Sequence, residues 1–448
     1  MGRRTEGEAV TGRRLVVLIA ALGLVGALFP AVAAARSQQE QPAASEIGVT
    51  PDTIRIAVIA DVDNAARPGL FQGSVNGVRA AAKFINDSGG VAGGRKIQVD
   101  FIDSKLSADE ARTALVSACQ EDFAIVGTSA LFMNNIDPMT SCPDQAGKVT
   151  GLPDVPVLQT EIAHQCSPVS YPVIVVGLDC KTKDAAEKQV QVRTGPAKYY
   201  TKHNKGLHGV FTLAGDLKST VNAGLPLVEG YKSVGIKSDG EFKVSALSPE
   251  TAYTPIVQAM KQNGSTYAQN LVDYKADVFL RREAQVQGVT GVKVWDCALQ
   301  CYDRRLIDEG KDAVEGQYVS TFFIPFEEAK QNKSVANYLK NVGGTENAEG
   351  FGAQAWAAGL FFRDVVNNVA KADGNNGLTR ARFLEEAAKV HDFTADGLLG
   401  PTDVGGRKIS PCGVLLQVKG GKFVRVSPTK KGTFDCSGGV KTVKVEFE

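Results

Sequence analysis

The segment Thr53–Ala60 reads TIRIAVIA, an apolar run rich in β-branched residues that has the length of a buried strand. Apolar residues then recur every three or four positions over residues 71–85, which predicts a helix with one buried face. Polar and apolar residues alternate over Lys96–Ile102, which predicts a second strand. A strand, a helix and a further strand in this order indicate a parallel sheet that is covered by helices.

The same alternation continues along the chain. Ser107 and Glu110 form a capping box that opens a second helix. Further strands are predicted at Phe123–Val126, Val155–Leu158, His208–Leu213, Glu241–Ala246, Val292–Trp295 and Gln317–Phe323. Further helices are predicted at Thr254–Gln262, Phe351–Ala370 and Thr379–Val390, before a hairpin that turns at Gly420-Gly421. The predicted fold class is therefore α/β, with a second series of strands and helices that begins near residue 180.

The size and composition of the chain favour a globular protein with two domains. Its 448 residues exceed one ordinary core, since domains commonly contain roughly 100–200 residues. Hydrophobic residues make up 43% of the chain and charged residues 22%, which is ordinary for a folded protein. The formal net charge of +1 provides no basic surface of the kind that nucleic-acid binding requires.

The first 35 residues have the pattern of an export signal. Arg13-Arg14 precede an apolar run over Leu15–Phe29, and small residues follow at 31–35, where cleavage is expected. We therefore expect residues 1–35 to be a signal peptide and residues 36–46 a flexible linker. The alternative is an uncleaved anchor, although the run is shorter than the ~20 residues of a membrane-spanning helix. No cysteine near the cleavage region could carry a lipid, and the twin arginines leave the export route open.

The chain has eight cysteines, all beyond the predicted signal. An even number in an exported protein favours disulfide bonds. Proximity in sequence suggests the pairs Cys119–Cys142, Cys166–Cys180, Cys297–Cys301 and Cys412–Cys436. A zinc site at Cys297 and Cys301 is the competing interpretation, but no second pair of cysteines or histidines stands at ligand spacing. No metal site is predicted.

Catalytic motifs are missing from the sequence. The stretch 127–131, GTSAL, lacks the second glycine of a nucleophile elbow, and no phosphate-binding loop is present. The four histidines are scattered and form no metal-binding pair. We predict no catalytic residue and no cofactor, although a hydrolase with a pair of carboxylates stays an alternative.

Polar residues follow several of the predicted strands. In open α/β sheets ligands bind outside the carboxyl ends of the strands, so these residues are candidates for ligand binding. The candidates are Asp63, Asn64, Thr128, Ser129, Gln159, Thr160, Glu161, Asp216 and Asp296. For each of them the alternative is an ordinary turn or cap residue, because these residue types are common in turns.

Several motifs resemble one family in the same order along the chain. Ile47–Ile56 (IGVTPDTIRI), Asn76–Ala81 (NGVRAA) and Ile85–Lys96 (INDSGGVAGGRK) resemble the opening of mature type I periplasmic binding proteins, the branched-chain amino-acid-binding group. Tyr253–Val257 and Phe351–Gly359 (FGAQAWAAG) resemble later motifs of that family.

The resemblance implies two Rossmann-like lobes joined by three crossovers. The implied boundaries place lobe 1 at 47–175 and 319–400, and lobe 2 at 176–318 and 401–448. A ligand would bind between the lobes, and the hinge would close over it. The family's pocket segments correspond to Leu70-Phe71, Thr128–Leu131 and Gln159–Glu161 here. In amino-acid binders, Thr128, Ser129 and Thr160 would hold the carboxylate or the ammonium group, and Asp216, Asp296 or Glu161 would supply a negative charge.

The implied function is that of the solute-binding component of an ABC importer, which is not an enzyme. Its expected partners are a small polar solute, such as an amino acid, and an ABC permease. We expect an exported monomer in the periplasm or at the cell surface. A sensor of the same fold that signals to a membrane receptor is the first alternative, and an exported hydrolase is the second.

Overall fold

The computed structural model describes residues 41–64 and 67–448. The predicted signal peptide and the start of the predicted linker lie outside the described residues. In the described end of the predicted linker, Ala43 and Ser45 hydrogen-bond to residues 376 and 378, and the Glu46 side chain is buried. None of the described helices combines the length and apolarity that are needed to cross a membrane.

The first part of the fold is a four-stranded parallel sheet with helices on both faces. Its elements are β1 (Thr53–Ala60), α1 (Gln72–Asp87), β2 (Lys96–Asp103), α2 (Ala108–Glu121), β3 (Ala124–Val126), α3 (Asp137–Thr140), β4 (Asp154–Val155) and α4 (Ile162–Gln165). The strand order is β2-β1-β3-β4. Alternate residues of β1 point to opposite faces: Ile56 and Val58 pack with α1, whereas Ala57 and Ile59 pack with α2. Burial on both faces explains why β1 is a continuous apolar run.

The second part begins with two short strands and then builds a larger sheet. Its elements are β5 (Gly177–Leu178), β6 (Glu187–Arg193), α5 (Gly195–His203), β7 (His208–Ala214), α6 (Lys218–Lys232), β8 (Lys237–Val244), α7 (Thr254–Asn263), β9 (Tyr267–Leu271), α8 (Tyr274–Val286), β10 (Val294–Cys297), α9 (Arg304–Gly310) and β11 (Tyr318–Thr321).

The chain then adds three helices and three strands. These are α10 (Lys333–Val342), α11 (Gly350–Asp373), α12 (Arg380–Ala387), β12 (Val414–Val418), β13 (Phe423–Ser427) and β14 (Val440–Glu446). We call lobe 1 the four-stranded sheet with its helices, including α10, α11 and α12, because α11 packs along α1. We call lobe 2 the seven-stranded sheet, of order β13-β12-β11-β10-β9-β7-β8, with its helices.

The remaining strands form a separate three-stranded antiparallel sheet, of order β14-β6-β5. The chain passes between the lobes three times. The first crossing runs from β4 to β7 and contains β5 and β6; the second joins β11 to α10, and the third joins α12 to β12. The predicted lobe boundary at 318/319 falls inside β11, which pairs within lobe 2. The predicted boundaries at 175/176 and 400/401 stay predictions and lie within the first and third crossings.

Lobe 1 is held together by a close contact between two helices. A Cβ placed on Gly77 of α1 would lie 2.1 Å from the carbonyl oxygen of Gly352 in α11. Only a glycine allows the two backbones to approach this closely. Four disulfide bonds tie the loops, and they join the pairs that proximity predicts.

Candidate functional site

A cavity of about 980 Å³ lies between the two lobes. Lobe 1 contributes the segments that follow β1 and β4, and lobe 2 contributes the segments that follow β9 and β10. Strand β6, helices α6 and α11, and the second and third crossings also contribute to the wall. The cavity therefore lies at the carboxyl ends of parallel strands, where α/β sheets bind their ligands.

Apolar side chains make up most of the wall. The larger ones from lobe 1 are Leu70, Phe71, Leu131, Leu158 and Phe351, and those from lobe 2 include Leu217, Leu227, Leu247 and Leu271. The rings of Phe71 and Phe351 meet edge to face with their centroids 5.2 Å apart. Such a wall favours a ligand with a large apolar part, because burying apolar surface stabilises a complex by about 25 cal/mol per Å².

One arginine joins the lobes at the edge of the cavity. Arg67, in the loop after β1, donates a 2.8 Å hydrogen bond to the carbonyl of Ala246 in lobe 2. It also forms an ion pair with Asp273, whose other carboxylate oxygen caps α8. The side chain of Asn64 holds the backbone of Arg67 through bonds of 2.6 and 3.0 Å. These contacts connect the first loop of lobe 1 directly to lobe 2.

Two donor groups face the cavity without a partner among the described residues. The Nε2 atom of Gln354 in α11 is buried and has no hydrogen-bond partner. The Nη1 and Nη2 atoms of Arg193, at the end of β6, likewise make no hydrogen bond with the described part of the chain. A buried donor such as the Gln354 amide is costly unless a ligand or water satisfies it, whereas Arg193 is half-buried.

Four of the predicted site residues line this cavity: Phe71, Gln159, Thr160 and Asp216. Three of them use their polar atoms within the protein. Gln159 donates to the carbonyl of His164 at 2.8 Å, and Thr160 donates to the carbonyl of Leu131 at 3.0 Å. Asp216 accepts hydrogen bonds from Ser245 and Ala246. These side chains therefore hold the loops that shape the cavity.

Glu161 lies in a neighbouring cavity of about 430 Å³, next to Lys218 and Ser219. Burial raises the pKa of the Glu161 carboxyl, and a hydrogen bond with Ser219 opposes that rise. Asp63 is exposed, outside the large cavity, and its backbone N–H donates to Asp103 at 2.7 Å. Asn64 also lies outside the lining, where it holds the backbone of Arg67 as described above.

Thr128, Ser129 and Asp296 do not line the large cavity. Thr128 donates to the Asp154 carboxylate at 2.6 Å and Ser129 donates to Ser74 at 2.7 Å, and both are fully buried within lobe 1. These hydroxyls are used inside the lobe and do not reach the cavity.

Asp296 is buried within lobe 2. It accepts hydrogen bonds from Tyr200, Tyr267 and Gln269 at 2.7, 2.8 and 2.9 Å. Burial raises the pKa of Asp296 to about 6, and the three hydrogen bonds oppose that rise. Its carboxylate therefore organises the core of lobe 2 instead of facing the cavity.

Sequence reasoning missed Arg67, Arg193 and Gln354. Gln354 comes from a helix and Arg193 from β6, so neither follows a strand of the two main sheets. Arg67 follows β1 but was not singled out from the many arginines of the chain. Only the pairing of distant segments reveals that these three side chains meet one cavity.

Comparison with known proteins gives a consistent result. A family model described as periplasmic binding protein matches residues 53–422. A leucine-binding protein from Thermotoga maritima aligns with a TM-score of 0.61 and 17% identity, over 84% of this chain and 98% of that one. No curated protein sequence matches the chain.

Two further solved structures share the fold. A branched-chain amino-acid ABC transporter protein from Thermus thermophilus, solved with bound valine, has a TM-score of 0.64 and 13% identity, over 84% of this chain and 96% of that one. A fatty acid ABC transporter substrate-binding protein from Thermomonospora curvata has a TM-score of 0.64 and 14% identity, over 87% of this chain and 97% of that one. The family and the four disulfides point to an exported protein. Because the family model spans well over half of its length, the chain belongs to the periplasmic binding protein family, a family of solute-binding proteins.

Proposed function

We propose that the protein captures a solute with a large apolar part between its two lobes and delivers it to an ABC-type permease. The observation that carries this proposal is the cavity of about 980 Å³ whose wall comes from both lobes. A ligand that touches both walls binds the closed form more tightly than the open form, so it favours closure.

The related structures support the solute class and the role. The Thermus thermophilus protein was solved with bound valine, and the Thermomonospora curvata protein is a fatty acid transporter component. Both of those ligands carry an apolar part and a carboxylate. We propose that the present protein acts as a monomer and catalyses no reaction on its solute.

Solute capture is tested on the full chain after denaturation and refolding with the disulfides intact, which removes co-purified solute. Thermal unfolding is followed with amino acids, aliphatic acids, aromatic acids and sugars. A solute at 100 times its Kd stabilises the folded state by about 2.7 kcal/mol, which raises Tm measurably. Small-angle X-ray scattering then measures whether a stabilising solute lowers the radius of gyration. If no class of solute changes either quantity, the capture proposal is wrong.

Delivery to a permease is tested separately by cross-linking the solute-loaded protein to membranes of its own source. Recovery of a permease supports the transport role. Recovery of a membrane sensor without any permease would mean that the protein signals and does not deliver its solute. The proposal of solute capture would still stand.

A further inference from the structure

Arg193 belongs to the cavity wall. It is the last residue of β6, in the first crossing between the lobes. Its Nε atom donates a 2.7 Å hydrogen bond to the carbonyl of Ser410 in the third crossing. Its guanidinium carbon lies 4.2 Å from the ring centroid of Phe322 in the second crossing. Segments from all three crossings therefore fix the orientation of this one side chain.

Within the described part of the chain, no carboxylate is paired with Arg193. Among the described residues, no carboxylate oxygen lies within 4.0 Å of its guanidinium. The other arginines of the wall differ, since Arg67 pairs with Asp273 and Arg305 pairs with Asp303. Lys275 also lines the cavity, but it is exposed to solvent. Arg193 is thus a half-buried cation of the wall that lacks a counter-charge within the described chain.

Partial burial of this cation has an energetic cost that an anion would offset. Desolvation lowers the pKa of the Arg193 guanidinium to about 10, so the group still carries its charge at neutral pH. A buried charge without a partner is unfavourable, and a hydrogen-bonded anion relieves that penalty. The planar fork of a guanidinium fits the two oxygens of a carboxylate, and here Nη1 and Nη2 are both free to donate.

The surroundings of Arg193 define the remainder of the ligand. Val190 and Val192 of the same strand line the cavity, and Leu227 and Phe322 also belong to its wall. A volume of about 980 Å³ is at the upper end of the range of small-molecule pockets, which leaves room for an extended ligand. We propose that the solute is a carboxylic acid with an extended apolar body, and that Arg193 binds its carboxylate through Nη1 and Nη2. This inference rests on the proposed capture of a solute between the lobes and specifies its chemical class.

Isothermal titration calorimetry on the refolded full chain tests the assignment with three probes: decanoate, its neutral amide decanamide, and leucine. We expect decanoate to bind more tightly than the other two. Arg193→Gln should weaken decanoate binding by at least 30-fold, because the partner of a buried charge pair is lost. The same variant should leave the weak binding of decanamide unchanged. The affinity of Arg193→Lys for decanoate should lie between those of the wild type and Arg193→Gln, since lysine keeps the charge and loses the planar fork.

Arg407→Gln is the matched control. The Arg407 guanidinium also lies over an aromatic ring, that of Tyr171 at 5.2 Å, and donates to one backbone carbonyl, that of Pro168. It lies outside the cavity lining, so its replacement should not change decanoate binding. Circular dichroism and Tm verify that each variant is folded, and Arg193→Lys supplies the comparison if Arg193→Gln does not fold.

The inference is overturned if decanoate and decanamide bind equally, if Arg193→Gln binds decanoate as the wild type does, or if leucine alone binds. It is also overturned if none of the three probes binds while another solute raises Tm and closes the lobes. In each of these cases the proposal of solute capture still stands. If no solute of any class binds, both the assignment of Arg193 and the proposal of solute capture are wrong.

Discussion

The guanidinium of Arg67 donates a 2.8 Å hydrogen bond to the carbonyl oxygen of Ala246, so a side chain of lobe 1 is bonded to the backbone of lobe 2. The same guanidinium pairs with Asp273, and both side chains are mostly buried. Since these bonds exist only while the lobes touch, they stabilise the closed arrangement. We therefore expect the balance between open and closed forms to respond to a change of Arg67.

Arg67→Ala should shift the protein towards separated lobes and weaken solute binding roughly tenfold, because hydrogen bonds to charged groups contribute about 1.5–3 kcal/mol. Small-angle scattering of the solute-free variant measures the first effect as a larger radius of gyration, and calorimetry measures the second. Arg112→Ala, an exposed change on α2, is the control. An unchanged radius of gyration together with an unchanged Kd would show that Arg67 does not join the lobes in solution.

Gln354→Met should stabilise the solute-free protein by about 1 kcal/mol and weaken solute binding. The buried Nε2 atom has no partner among the described residues, and an apolar side chain of similar shape removes that penalty. Gln159→Met is the matched control and should destabilise the protein, because the Nε2 atom of Gln159 donates to His164. Urea unfolding measures both changes. Destabilisation by Gln354→Met would mean that this amide already has a partner.

Gly77→Ala should lower the free energy of unfolding by about 3 kcal/mol, at the upper end of the usual cost of overpacking. The added methyl would lie 2.1 Å from the carbonyl oxygen of Gly352 and would force α1 and α11 apart. Lys83→Ala on the same helix is the control, since its ion pair with Asp87 is exposed and contributes little. A Tm equal to that of the wild type would contradict the close helix contact.

Asp122→Asn should change the pH dependence of stability. Burial, together with the nearby Asp100 carboxylate, raises the pKa of Asp122 to about 7. A raised acid pKa means that the folded state binds more protons than the unfolded state, so stability falls as the pH rises from about 4 to about 7. The asparagine stays neutral and avoids this loss.

The advantage of Asp122→Asn over the wild type should therefore grow by about 2 kcal/mol between pH 5 and pH 7. The full slope is ~1.4 kcal/mol per pH unit, and it decreases near pH 7 because Asp122 begins to ionise in the folded state as well. Urea unfolding at the two pH values measures this difference. Thr113→Ala on the same helix introduces no titrating group and serves as the control. A constant difference between Asp122→Asn and the wild type would show that the Asp122 carboxyl ionises as freely as in the unfolded chain.

Sequence patterns predict those elements whose ends are fixed by neighbouring residues, such as helices with a side-chain cap. The Ser107 cap accepts a hydrogen bond from the N–H of Glu110, as the capping box implies, and Thr379 caps α12 as expected. Strand β9 was missed because two of its five residues, Gln269 and Asn270, are polar. Both are buried within lobe 2, where Gln269 donates to Asp296 and Asn270 donates to the carbonyl of Asp273. A buried polar residue whose hydrogen-bond partner is distant in sequence cannot be distinguished from a loop residue by sequence alone.

The sequence predicts only those residues of the candidate site that directly follow a strand of a parallel sheet. That rule led to Gln159, Thr160 and Asp216, which line the cavity. It led equally to Thr128 and Ser129, whose hydroxyls are used by partners that proximity in sequence does not reveal. The donors without a partner among the described residues are Arg193 of β6 and Gln354 of α11. They line the same cavity because segments that are distant in sequence pack together.

One such pairing has a consequence for how the protein matures. Strand β6 pairs along its whole length with β14, so that Arg193 lies opposite Val440, some 250 residues later in the chain. If the polypeptide is translocated across the membrane unfolded from its N-terminus, β6 emerges long before its partner and presents an unprotected edge. The wall that contains Arg193 is assembled only after residues 440–446 have crossed, so a chain still in transit holds no finished binding site and cannot trap solute prematurely.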